Sequence, residues 1–231
     1  MKLITVIFER TVSHNVDPQK GFTPLCPNEL PVPDGDKIVD ELNAQNNLAK
    51  YKTVSKDVHP ANAIWLANKN KPQFSPVEGD NVDIAWNAHC MSGTYGSELI
   101  DGLPKMIDYD FFVAKGFESD LHPYSSCFHD LHKNVSTGLI EWFETRNITT
   151  VIVGGLATNY CVSETCKDLS SAGFQVILNL GACKGIGTEE DINMSVEVLI
   201  NGYNILVVNS FDEIEVVHEK YEEIDFDILL P

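Results

Sequence analysis

Ionisable side chains suited to covalent chemistry stand where hydrophobic runs give way to polar residues. They are Asp17 in VDPQKGF, Asp57 and His59 in SKDVHPA, Lys115 in VAKG, and Cys161 in GGLATNYC. A cysteine that serves only packing belongs in the middle of an element. One at the start of a helix faces backbone N–H groups that favour a thiolate, and a neighbouring cation such as Lys115 adds to that effect. Asp17 could then accept the thiol proton. The N–H groups of Ala157 and Cys161 could converge on a carbonyl oxygen as it becomes an oxyanion, each worth roughly 3 kcal/mol. Together these groups describe acyl transfer through a thioester.

A second constellation has metal-ligand character. Asp57 and His59, two residues apart, project to the same side of an extended segment. His89 in WNAHCMSGTYGSE offers a third ligand. One carboxylate and two imidazoles with open positions suit Zn²⁺, Fe²⁺ or Mn²⁺ with bound water. Asp-x-His alone is a poor metal signal, and a lone Asp after a strand is more often a turn residue. It is the shared location at strand ends that gives the set weight. His129 and His132 in HDLHK have helix-like spacing but fall outside that pattern, and they read as surface.

The elements that must position these residues follow from hydrophobic period. A helix is expected over 36–50, with Ile38, Leu42 and Ala49 on one face, and strands over 51–57 and 108–116. Val135, Leu139, Trp142 and Phe143 form a helical stripe before ITTVIVGG (148–155), the clearest buried strand. Val162, Cys166 and Leu169 continue as a helix that Gly173 can terminate, and FQVILNL (174–180) is the next strand. Thr188 with Asp191 resembles a capping pair for a helix that Gly202 stops, before a last strand at 203–210. Strands alternating with helices imply an α/β fold: a doubly wound, mostly parallel sheet with helices on both faces. Ligands in such sheets bind beyond the carboxyl ends of the strands, where the candidate residues lie. Near the N-terminus both 2–8 and 11–17 read as strands, and the second, ending at Asp17, is expected inside the sheet.

Length and charge set limits. The 231 residues, with no Pro/Ser/Gly-rich linker, read as a single domain (1–231) with an N-terminal extension (1–10) and an acidic C-terminal segment (212–231). A formal net charge of −18 argues against a nucleic-acid partner or an anionic membrane surface. No apolar run approaches the roughly 20 residues of a membrane span. A cytoplasmic protein is expected, with six reduced cysteines whose irregular spacing contains no CxxC. A homo-oligomer is compatible with the sequence, which sets no number of subunits.

In order along the chain, VDPQKGF, SKDVHPA, WNAHCMSGTYGSEL, VAKG and GGLATNYCV resemble the nicotinamidases (pyrazinamidases) of the isochorismatase-like cysteine hydrolases, over about residues 11–210. The resemblance implies an isochorismatase-like three-layer sandwich and one divalent metal ion, Zn²⁺ before Fe²⁺ or Mn²⁺. It also implies hydrolysis of nicotinamide to nicotinic acid and ammonia in NAD salvage, with pyrazinamide as a further substrate. Asp17, Lys115 and Cys161 match the family's triad, and Asp57, His59 and His89 its metal ligands. Leu156 and Ala157 match a cis peptide beside the substrate, with the Ala157 N–H turned toward the oxyanion. Phe22, Trp86 and Tyr124 match aromatic positions around the substrate ring.

The chain departs from the family pattern in places. Asn159 stands where many members have Asp, Asn87 replaces a common Pro, and Ala63 and Trp65 occupy a stretch where relatives often carry Ser and His. An amidase for another small amide or carbamoyl compound is the alternative reading. Isochorismatases proper lack the cysteine. An inactive metal-binding or interaction relative would be expected to have lost Asp17, Lys115 or Cys161, and all are present. A redox role for Cys161 with Cys166 or Cys90 has no motif behind it.

Overall fold

The computed structural model describes residues 3–219. In chain order its regular elements are β1 (Ile4–Ile7), β2 (Thr11–Val16), α1 (Val39–Asn46), β3 (Tyr51–Asp57), β4 (Phe111–Lys115) and α2 (Leu139–Glu144). They continue with β5 (Thr150–Leu156), α3 (Ser163–Ser171), β6 (Gln175–Lys184), α4 (Glu189–Tyr203), β7 (Leu206–Val208) and β8 (Ile214–Val217). Six of the strands form one sheet in the order β4-β3-β2-β5-β6-β7, with every pairing parallel. The chain winds outward from β2 to β3 and β4, then returns to the other side of β2 to lay down β5, β6 and β7. The reversal leaves a crevice at the carboxyl ends of β2 and β5, the place where open α/β sheets bind ligands.

Parallel strands covered on both faces read as unbroken apolar runs. All of β5 is buried in this way. On one face Val151 and Val153 pack with Leu139 and Phe143 of α2, Leu169 of α3 and Leu199 of α4. On the other, Ile152 and Ile177 lie under Val6 and Ile214, while Ile38 and Leu42 pack with Leu156 and Ala182. β2 is as deeply buried but polar in sequence. Its polar groups find scattered partners: Ser13 Oγ donates to Asn46 Oδ1 of α1 (2.7 Å) and accepts from Gln45 Nε2 (3.1 Å), while Asn15 Nδ2 donates to the Tyr109 hydroxyl (3.0 Å).

Several local expectations are corrected. The helix expected over 36–50 is a 3₁₀ turn at Gly35–Ile38 followed by the shorter α1. Val135 lies outside α2 and is 53% exposed. α4 runs one residue past Gly202, and Asn204, in the left-handed region (φ 53°), caps it. Thr188 and Asp191 do form the reciprocal cap at its start, and Gly173, at φ +95°, follows the end of α3. Both N-terminal strands exist. β2 enters the main sheet, and β1 pairs in parallel with β8 in a separate ribbon covering Ile152. The acidic segment thus contributes β8, while 220–231 lies outside the described residues. Among the described residues no helix is long and apolar enough to cross a membrane.

The β2–β5 seam tolerates no side chain at Gly155. A Cβ there would sit 2.0 Å from the Val16 carbonyl oxygen, with φ at +135°. Because backbone rather than a flexible side chain blocks it, Gly155→Ala should cost about 3 kcal/mol or more. Urea denaturation reads this directly, and an unchanged midpoint would show that the seam can open.

Candidate active site

The sheet register places Asp57 opposite Lys115, and Val16 opposite Gly155. Asp17, Lys115 and Cys161 therefore meet at one rim. Asp17 leaves β2 in the left-handed region (φ 42°), where Asp is tolerated better than most residues. Its Oδ1 accepts from Ser55 Oγ at 2.6 Å. Ser55 Oγ accepts in turn from Ser126 Oγ (2.9 Å), and Ser126 Oγ from Thr165 Oγ1 (3.2 Å). This chain of buried hydroxyls, each donating toward the carboxylate, fixes the side chain of Asp17.

Lys115 is fully buried. Its Nζ lies 3.0 Å from Asp17 Oδ2 and 2.5 Å from Asp57 Oδ1. It also lies 3.2 Å from the Pro123 carbonyl and 3.6 Å from Cys161 Sγ. Burial would lower the pKa of Lys115, but Asp17 and Asp57 hold it well above the ordinary lysine value. Burial works against ionised Asp57 too, yet Lys115 and then His59 hold its carboxyl far below the usual range. Asp17 is raised, chiefly by burial, with Lys115 opposing and Asp57 adding to the rise. Burial also pushes the Cys161 thiol well above its ordinary value; Lys115 opposes this, and Asp17 and Asp57 reinforce it. Burial therefore opposes the thiolate-favouring effect expected from the helix start, and one ammonium shared by two carboxylates does not outweigh it.

Cys161 lies in a single π-type turn, Thr158–Val162, that leads into α3. Such turns recur at functional sites. The Leu156–Ala157 peptide just before it is cis.

Beside the thiol lies a cluster of imidazoles. The ligand-capable nitrogens of His59, His89 and His122 lie within 4.8 Å of one another, and all three residues are buried. His59 Nδ1 donates to the Gly116 carbonyl (2.9 Å) and His89 Nδ1 to the Asn87 carbonyl (2.6 Å). Each bond fixes the tautomer and leaves Nε2 as a lone pair, the orientation typical of metal-binding histidines. His59 Nε2 and both ring nitrogens of His122 have no hydrogen-bond partner, and Asp57 Oδ2 lies 3.3 Å from His59 Nε2. Burial lowers His89 to about 3 and His122 well below the ordinary value, so both present neutral rings. Buried nitrogens without partners, beside a carboxylate that stays ionised, fit a divalent cation of borderline softness.

Gly116, at φ +71°, is required here, since a Cβ would sit 2.5 Å from His59 Cε1. The departures at 63–65 and 87 also find their place. Trp65 is fully buried, packs edge-on against His59 and His122, and donates its Nε1–H to the Leu121 carbonyl (3.1 Å). Asn87 contributes its main-chain carbonyl to His89, which a proline would supply equally well.

A small pocket opens over these groups. Phe22, Trp86 and Tyr124 line it, as do Ala157 and Cys161, with Asp57 and His89 at its wall. Tyr124 is held by accepting from Trp86 Nε1 (3.1 Å) and donating to Asp83 Oδ1 (2.8 Å). Asp17, Lys115 and His59 sit behind the lining. Leu156 does not line the pocket: it is fully buried and points into the core with Ile38 and Leu42. Four lining residues went unseen in the sequence: Leu30, His122, Tyr160 and Ile186. Tyr160, next to Cys161, was open to inference. His122 carried no signal beyond its distance of a few residues past Lys115. His129 and His132 lie in an irregular loop rather than a helix; His132 is exposed as expected, whereas His129 is half-buried.

A doubly wound α/β sheet with a buried thiol, base and cation at its switch point defines a class of hydrolase, and comparison with known proteins agrees. The chain belongs to the isochorismatase family, with residues 15–208 matching the Isochorismatase domain. Within that family it is similar to nicotinamidases. It is 32% identical to the nicotinamidase of Acinetobacter baylyi, over 79% of this chain and 83% of that one. Among solved structures, the Acinetobacter baumanii nicotinamidase/pyrazinamidase superposes with a TM-score of 0.80 at 29% identity, covering 88% of this chain and 98% of that one. The pyrazinamidase of Pyrococcus horikoshii in complex with zinc gives 0.66 at 26%, covering 91% and 99%.

Removing the shared cation would leave two carboxylates buried without compensation. Lys115→Met should lower the unfolding free energy by about 3–5 kcal/mol. A loss below about 1 kcal/mol by urea denaturation would show that the carboxylates do not depend on it.

Proposed function

We propose that the protein is a metal-containing cysteine amidohydrolase that converts nicotinamide and water to nicotinic acid and ammonia. The observation that carries this reading is the meeting of thiol, carboxylate and ammonium at the edge of an aromatic-walled pocket. The similarity to proteins named nicotinamidase supports the choice of substrate.

The chain's own residues supply the reaction. Phe22, Trp86 and Tyr124 hold the ring, leaving the carboxamide against Cys161. As sulfur adds to the amide carbon, Asp17 takes the thiol proton. A base with a raised pKa suits this transfer, because it can return the proton later. The Ala157 and Cys161 N–H groups receive the negative charge on oxygen. Lys115 keeps Asp57 ionised and stabilises the sulfur as its proton leaves. Asp17 then protonates the departing nitrogen, ammonia leaves, and a thioester remains. Asp17 next deprotonates a water that attacks the thioester, releasing nicotinic acid and restoring the thiol.

Asp57, His59 and His89 would hold the divalent ion, and His122 completes the donor set. When bound, the ion offers a Lewis-acidic position to the ring nitrogen and orients the ring. The zinc complex of the similar Pyrococcus horikoshii pyrazinamidase makes zinc the first choice. An open pyrazine nitrogen in the same place makes pyrazinamide a second substrate.

Purified protein should release ammonia from nicotinamide, and Cys161→Ala should lower that rate at least about a thousandfold. Wild-type turnover in the variant would remove Cys161 as nucleophile. Metal analysis after dialysis should find about one divalent ion per chain, with His122→Ala retaining less than wild type at equal chelator. Equal retention would exclude His122 from the ligand set.

A further inference from the structure

The function proposed above leaves Asn159 without a role, and its geometry supplies one. Asn159 stands two residues before Cys161 in the Thr158–Val162 turn. Its amide makes a reciprocal pair of bonds to a single pocket-lining residue: Nδ2 donates to the Ile186 carbonyl (2.8 Å), and Oδ1 accepts from the Ile186 N–H (3.0 Å). Ile186 lies between β6 and α4, and it lines the pocket. A carboxylate at 159 could keep the second bond but has no donor for the first. It would instead set an acceptor against the carbonyl oxygen.

The loop has little stiffness of its own at this point. Glycines flank Ile186 on both sides. Gly187 adopts φ +95°, and Gly185 has no room for a Cβ, which would lie 2.5 Å from Ile192 Cγ1 and 3.1 Å from Asn159 Oδ1. Glycine is the least restrained residue, so the position of Ile186 depends on an external tie, and the Asn159 amide provides it. The tie joins the turn that carries the thiol to the aliphatic wall of the pocket.

Resting on the amidohydrolase reading, we infer that Asn159 is a positioning residue that fixes Ile186 as the size gate of the pocket, restricting the enzyme to carboxamides of a single six-membered heteroaromatic ring. Asn159 acts on substrate fit through Ile186 and takes no part in the bond changes. Ile186 lines the pocket together with Phe22, Trp86 and Tyr124, so its position sets how far a bound ring can extend on that side.

The test compares wild type, Asn159→Asp and Ile186→Ala on nicotinamide and on the bicyclic quinoline-3-carboxamide, with melting temperature and metal content measured in parallel. Asn159→Asp should raise KM for nicotinamide about tenfold, with kcat changed less than about threefold. Metal content should match wild type. Ile186→Ala should raise the kcat/KM ratio of bicyclic to monocyclic substrate at least about tenfold. An unchanged KM in Asn159→Asp would overturn the inference, as would a fall confined to kcat or an unchanged substrate ratio in Ile186→Ala. If Asn159→Asp fails to fold, the substrate ratio of Ile186→Ala still decides whether Ile186 is the gate. Absence of nicotinamide turnover by the wild-type protein would instead refute the proposed function. Calorimetric titration of both amides into the Cys161→Ala and Cys161→Ala/Ile186→Ala proteins then reads the size gate without catalysis.

Discussion

The site depends on one buried ammonium. Lys115 sits at the carboxyl end of β4 with no solvent access and holds two carboxylates and a thiol within reach. Each carboxylate alone at this depth would be neutral. Their surroundings differ: His59 adds to Lys115 at Asp57, whereas Asp17 has Lys115 and the Ser55 hydroxyl. Asp57 is kept ionised and available to the imidazole cluster, while Asp17 is left in competition with the thiol for a proton. The same group that balances charge thus links the thiol side of the pocket to the imidazole cluster.

The fold supplies this arrangement through strand order. Because β2 and β5 are neighbours in space but far apart in sequence, Asp17 and Cys161 meet across the crevice without a long loop. β3 and β4, on the other side of β2, bring Asp57 and Lys115 into register. Rigid strands carry the groups whose spacing matters most. Loops contribute the walls, where Tyr124 and Ile186 are tied down by side-chain hydrogen bonds rather than by a ladder.

Much of this was legible in the sequence because parallel strands end abruptly, so residues just past an apolar run share a rim. β5, β6 and the placing of Asp57 and His59 at the end of β3 could be read that way. β2 was harder, since its buried residues are largely polar and leave no hydrophobic run. Three features were not legible. His122 follows an irregular path after β4, where no periodicity reports its direction. Leu156 alternates inward along its strand and packs with Ile38 and Leu42, while Ala157 lines the pocket. The state of the Cys161 thiol depends on desolvation, and residue type does not encode burial depth.

The β1–β8 ribbon has a consequence for how the chain comes together. Its paired residues are 210 positions apart, so closing it carries nearly the largest loop-entropy cost the chain can present. During synthesis Ile152 and Ile177 would be in place long before the strand that completes their cover has left the ribosome. The apolar face beneath the ribbon is therefore the last part of the sheet to be shielded, and the part a nascent chain must keep from other molecules.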